Sequence, residues 1–151
     1  MIVYLDNCCY NRPFDNRSNI KNYLEREAVL LVMQMAYDGN YQIIGSEVLE
    51  KEMSMITNEE KRQNVGVLYR SMINDVIRIN ASIVKRAKEI VEQSSIKAFD
   101  SLHLASAETK ADILLTTDIK FIKAANKLET KIKVQNPISF ILEVNEHEHN
   151  N

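Results

Sequence analysis

Glycine and proline are both scarce: the 151-residue chain has three of the first and two of the second. Three glycines build no phosphate-cradling loop, and neither GxGxxG nor GxxxxGK[ST] occurs, which excludes the glycine-based nucleotide sites. With 45% hydrophobic residues and no low-complexity run, the composition also excludes a disordered chain and indicates a helix-rich globular one. The two cysteines, Cys8 and Cys9, are adjacent. A vicinal pair is poor geometry for a structural disulfide, and two thiols without a further Cys or His fall short of a zinc site, so they read as reduced thiols. No apolar run approaches the roughly 18 residues of a membrane span, and the opening MIVYLDN meets a charge at Asp6, unlike a signal peptide. No membrane role and a cytoplasmic location are the expectations. A basic excess is missing too. The 19 Lys and Arg stand against 21 Asp and Glu, for a net charge of −2, so any nucleic-acid site must be local.

What is present is an alternation of short apolar runs with amphipathic stretches. IVYL (2–5) is a continuous β-branched and aromatic run, the mark of a strand buried on both faces. YQIIGS (41–46), DVIRIN (75–80), DILLTT (112–117) and KIKVQ (131–135) read as further strands. After a turn-like NRPFDNRSN, the spacing of Ile20, Leu24, Ala28, Leu31 and Met35 predicts a helix over about 19–38, stopped by Gly39. Helices are also expected after Ser46, over 58–73, around Ile83, Ala87, Ile90 and Val91, over 100–110, over IKFIKAANKLE, and after Pro137. Strands alternating with helices in one domain imply a mainly parallel sheet covered on both faces, an α/β/α sandwich. The length suits a single domain, expected over 1–144, with 145–151 as a disordered tail.

Acidic residues fall where such a sheet holds its ligands, outside the carboxyl ends of its strands. Asp6 follows the first strand and Asp118 follows ILLTT; Asp100 opens a helix, and SEVLEKE supplies a glutamate after the second strand. Val48, Leu49, Glu52 and Met53 share one helical face, so Glu52 points inward and Glu50 is turned away, with Glu50 the second candidate. Each aspartate taken alone also has a structural role open to it, as a turn former or a helix cap. If they converge they form a cluster that repels itself unless a cation neutralises it, and hard oxygen donors suit Mg²⁺ or Mn²⁺. The matching chemistry is metal-assisted phosphodiester hydrolysis.

MIVYLDNCCYNRPFD, SEVLEKEM, AFDSLHLASAETKAD and ILLTTDIKF together resemble the four acidic blocks of the PIN-domain family. That pattern is an aspartate after the first strand, a glutamate on the next helix, an aspartate opening an alanine-rich helix, and T-x-D-x-x-F. Here it falls on Asp6, Glu52, Asp100 and Thr116-Thr117-Asp118 with Phe121. The first block departs from the family in having Asn7, Cys8 and Cys9 where a Thr or Ser often follows the aspartate. The resemblance implies a PIN-like α/β/α fold and a Mg²⁺- or Mn²⁺-dependent ribonuclease related to toxins of toxin/antitoxin pairs. Its catalytic and metal-holding residues would be Asp6, Glu52, Asp100 and Asp118. Asn7, Arg12, Arg17, Thr116 and His103 are candidates for contacting substrate or supporting the site.

RNA, a small antitoxin-like protein and a second copy of the chain, through an apolar helix such as 20–38, are the expected partners. Two other readings stand beside this one. A catalytically silent PIN-like module would bind RNA or protein and keep its acids as structure. An aspartyl-phosphate phosphatase would use Asp6 as nucleophile, but it needs an acid two residues on, where Cys8 stands.

Overall fold

Ile2–Leu5 forms β1, in which Val3, Tyr4 and Leu5 are wholly buried. A strand apolar on both faces belongs inside a sheet covered on both faces, and β1 is the central strand of five. The others are β2 (Gln42–Ser46), β3 (Ile73–Ile77), β4 (Ile113–Leu115) and β5 (Lys133–Gln135), in the order β3-β2-β1-β4-β5. Every neighbouring pair is parallel. The computed structural model describes residues 1–16 and 18–150. Arg17, a candidate from the sequence, lies outside the described residues.

Among the described residues eight helices connect and cover the strands: α1 (Asn7–Asn11), α2 (Ile20–Tyr37), α3 (Glu47–Ser54), α4 (Glu59–Met72), α5 (Ala81–Gln93), α6 (Ala98–Lys110), α7 (Ile119–Lys127) and α8 (Pro137–Asn150). Local chemistry sets their ends. Asn19, Ser46, Asn58 and Asn80 accept first-turn N–H bonds at the starts of α2, α3, α4 and α5, each satisfying a donor that has no partner inside its helix. At the end of α2, Gly39 takes φ +89°. Its N–H reaches Ala36 O and that of Asn40 reaches Met35 O, both at 3.0 Å, the paired bonds of a glycine-terminated helix.

The chain winds outward from β1 through β2 to β3, then crosses back to β4 and β5. Winding therefore reverses between β1 and β4, and a doubly wound sheet opens its crevice there, at the strand carboxyl ends. The expected parallel α/β/α architecture is the one found.

Two details differ from the sequence reading. The segment after β1 begins with a helical turn, α1, and a short 3-10 turn at Arg12–Phe14, because Asp6 caps it and nothing breaks the backbone before Pro13. β3 starts at Ile73, directly after α4, and ends at Ile77. Pairing with β2, with a register shift between Ile43 and Gly45, outweighs the alternation in DVIRIN. The last helix spans Pro137–Asn150.

Of the three glycines, Gly45 is the one most closely packed against a neighbouring side chain. A Cβ there would overlap Tyr69 Oη and lie 2.8 Å from Cζ. Tyr69 cannot yield freely, since its hydroxyl accepts from Ser46 N–H at 3.2 Å and donates to Glu50 at 2.9 Å. Gly45→Ala should therefore destabilise the fold by about 1–3 kcal/mol, as overpacking does. Urea unfolding of Gly45→Ala beside Gly45→Ala/Tyr69→Leu checks the cause: the second change should restore part of the loss.

Candidate functional site

Asp6 leaves β1 with its own N–H bonded to Leu115 O at 2.9 Å, which ties it to β4 across the crevice. Its side chain is buried. Oδ1 accepts the Asn7 N–H at 2.8 Å and Oδ2 accepts the Thr116 hydroxyl at 2.7 Å, so both oxygens are oriented before any ligand arrives. Thr116, wholly buried at the end of β4, thus acts on Asp6 rather than as a helix cap.

Asp118 does the capping. Its Oδ1 accepts the N–H groups of Lys120 at 3.0 Å and Phe121 at 3.2 Å, leaving Oδ2 outside the cap. Asp100 is different: it sits one turn into α6, and no side chain caps that helix. Asp6, Glu52, Asp100 and Asp118 line one open cleft of about 350 Å³ together with Asn7, Cys8, Asn11, Asp15 and Lys61. Glu50 is turned aside, bonded to Tyr69 and lining a separate cavity.

The acids feel one another. Burial, with the charges of Asp6, Asp118 and Glu52, pushes the Asp100 carboxyl up to about 6 despite the opposing pull of His103. His103 is itself wholly buried. Its Nε2 lies 3.2 Å from Glu52 Oε1 and 3.7 Å from Asp6 Oδ1, while Nδ1 meets the Tyr4 hydroxyl at 2.6 Å, which in turn meets Ser46 Oγ at 2.7 Å. Burial disfavours the imidazolium, yet the Glu52 bond and the charges of Asp6, Glu52 and Asp100 hold its pKa above the usual value. Since its partner is a carboxylate, Nε2 carries the hydrogen. The ligand atoms of Asp6, Glu52 and His103 all lie within 4.8 Å of one another. Asp100 and Asp118 line the same cleft without joining that tight group.

Arg12 does not line the cleft. Nη1 donates to Asp15 at 2.8 Å and Nη2 to Thr117 at 2.9 Å, and Nη2 pairs with buried Glu25 at 3.1 Å. Asp15 also receives Lys61 Nζ at 2.7 Å, so Arg12 is engaged in a brace behind the Asp15–Lys61 edge of the cleft. Sequence reasoning missed Lys61 and Asn11 as lining residues, and Cys8, whose Sγ is 3.3 Å from Thr116 Oγ1 and accepts the Thr117 N–H at 3.3 Å. The one available signal was the placement of Cys8 two residues after Asp6, in the first turn of a helix.

The family model for the PIN domain matches residues 4–127. The chain belongs to the PIN-domain family. A comparison with curated proteins gave no match, whereas solved structures share the PIN fold at low identity. VapBC2 from Rickettsia felis, solved bound to a DNA fragment from their promoter, is 19% identical over 90% of this chain and 98% of that one, with a TM-score of 0.61. VapC20 of Mycobacterium tuberculosis, described as a sarcin-ricin loop cleaving toxin, is 10% identical over 87% and 98%, TM-score 0.59. A toxin-antitoxin complex from Klebsiella pneumoniae is 18% identical over 87% and 98%, TM-score 0.55. In this PIN domain the four acidic blocks lie within or beside the matched segment, on the elements that border the crevice.

Proposed function

We propose that this PIN domain is a Mg²⁺- or Mn²⁺-dependent ribonuclease of the toxin type, hydrolysing RNA phosphodiester bonds in the cleft of Asp6, Glu52, Asp100 and Asp118. The observation that carries the reading is that four separate segments bring carboxylates to one open cleft. Such a set suits a hard divalent cation: all the carboxylate donors are oxygen, and the raised Asp100 carboxyl marks negative charge without a counterion. Asp6, Asp100 and Asp118 would hold the ion, with Glu52 ligating it or acting through water. When bound, the ion supplies an activated water and stabilises the leaving oxygen.

The chain's own residues do the positioning. Thr116 and the Asn7 N–H fix the two oxygens of Asp6; His103, steadied by Tyr4, holds Glu52. The Asn7 side chain uses Oδ1 on Asn11 at 2.9 Å, which leaves its Nδ2 to donate to a phosphate oxygen.

A neighbour that cleaves the sarcin-ricin loop supports RNA as substrate, and a neighbour solved as a toxin-antitoxin complex supports a small antitoxin-like partner. The partner or a second copy of the chain would cover the apolar residues that α2 leaves exposed, among them Ile20, Leu24 and Leu31. Among the described residues no helix is long and apolar enough to cross a membrane, which is compatible with action in the cytoplasm.

Cleavage of labelled single-stranded RNA is the test. The protein should cut with Mn²⁺ or Mg²⁺, stop on chelation and recover on re-addition, and Asp6→Asn should be inactive. Equal cleavage by wild type and Asp6→Asn would refute the site. RNA binding without cleavage under any divalent ion would instead establish the silent module.

A further inference from the structure

Beside the acidic cleft lies a second groove, of about 320 Å³, which also has Asp100 and Asp118 in its wall. Its remaining charged residues are all lysines: Lys97, Lys120, Lys123 and Lys127. Ion pairs engage Lys61, Lys110 and Lys133, but among the described residues no carboxylate pairs with any of these four ammonium groups. In a chain of net charge −2, such a gathering of uncompensated cations at one groove is not explained by bulk composition.

The local structure fixes them as a set. Lys120, Lys123 and Lys127 follow at spacings of three and four, so they share one face of α7, with Cβ atoms about 5–6 Å apart. Phe121, Ala124 and Ala125 are buried and anchor the same helix. Lys97 stands at the start of the 13-residue α6, where no side-chain cap is present. The first-turn N–H groups and the positive end of the helix dipole are therefore available to an anion on the same wall.

We propose that this groove is the track for the backbone of single-stranded RNA on one side of the scissile bond. Lys97, Lys120, Lys123 and Lys127 hold successive phosphates, the uncapped start of α6 adds N–H donors, and the strand passes over Asp100 and Asp118 into the cleft. The proposal rests on the nuclease reading of that cleft. A positively charged groove following the backbone is how single strands are held without base readout, and a volume near the small end of ligand pockets admits one strand. Divalent ions at Asp100 and Asp118 accept phosphate oxygens as ligands, so the acids do not bar the path.

Fluorescence anisotropy of a labelled oligouridine, measured over a range of salt on full-length Asp6→Asn protein, tests this directly. Adding Lys120→Gln, Lys123→Gln and Lys127→Gln should weaken binding by a factor on the order of 10²–10³ at 0.05 M salt. It should also lower the slope of log K against log salt by about 2, at about 0.7 per lost phosphate contact on a single strand. Lys21→Gln, Lys85→Gln and Lys88→Gln change net charge equally and should leave both quantities within about twofold.

In the cleaving protein the groove triple should raise KM and leave kcat unaltered. Equal effects of the two triples would overturn the proposal, as would an equal dependence of duplex RNA on the groove lysines. Displacement of the oligouridine by polyglutamate of matched charge as readily as by RNA would overturn it too, marking a surface for acidic protein segments. A wild type that cuts RNA with the triple unimpaired removes the groove and keeps the nuclease. A wild type that binds through these lysines but cuts nothing keeps the groove and removes the nuclease.

Discussion

Asp100→Asn should lower cleavage by about 10²–10³-fold, the scale of losing one preorganised electrostatic group, while raising the melting temperature of the metal-free protein. The two effects share a cause. Asp100 titrates near 3.8 in a free chain and near 6 in the fold, first because it is buried and then because Asp6, Asp118 and Glu52 are close. A carboxyl whose folded pKa is raised binds more protons folded than unfolded, so stability falls as pH rises through that interval. Below 3.8 the penalty is absent; above about 6 it is complete. Once the partial solvent exposure of the group is allowed for, it amounts to about 1–2 kcal/mol, a few degrees for a domain of this size. Thermal melts at pH 8 without divalent ions should place the Asn variant above wild type, and melts at pH 3.5 should bring them together. Adding Mn²⁺ should then stabilise wild type more than the variant. An Asn variant less stable than wild type at pH 8 would show that the charge on Asp100 is compensated by the fold itself.

Glu25→Ala should cost about 3 kcal/mol, a large share of the roughly 5–15 kcal/mol that holds a domain together. Glu25 has no exposed surface. It is held by Asn136, which donates to Oε2 at 3.0 Å, and by Arg12, whose Nη2 is 3.1 Å from Oε1. That second oxygen has charge beside it but no aligned hydrogen bond. Removing one member of a buried pair leaves the other unneutralised; the estimate sits at the low end of the range because Asp15 still pairs with Arg12 at 2.8 Å. Urea unfolding measures the loss. RNA cleavage should fall as well, because Arg12 also braces Thr117 and the Asp15–Lys61 contact at the cleft rim.

The sheet was legible because its central strands are continuous apolar runs, IVYL and ILL, for which burial on both faces is the simplest account. The positions of Asp6 and Asp118 followed from those strands, and Glu52 from helical phase against Val48, Leu49 and Met53. What escaped sequence reasoning depends on contacts between distant segments. Glu25 lies among charged neighbours in LEREA and looks solvated until Arg12 and Asn136 arrive from elsewhere in the chain. His103 is marked in the sequence as a candidate by standing three residues after Asp100, but its place between Tyr4 and Glu52 comes from the fold alone. α1 spans five residues, too few for periodicity to register. The start of β3 at Ile73 is decided by its partner strand, which local alternation cannot reveal.

The central place of β1 has a consequence for how the protein comes into being. Asp6 is the first of the four acids to be synthesised, yet the strand that carries it pairs with β4, and Val3 lies opposite Ile113. Contacts that close so long a loop are entropically late and slow. A nascent chain that stops short of β4 lacks both the Leu115 carbonyl that receives the Asp6 N–H and the Thr116 hydroxyl that orients its carboxylate. The cleft therefore assembles only when synthesis of the domain is nearly done, so the RNA cleavage we propose for it is withheld while the chain is still attached to the RNA-rich machine that makes it.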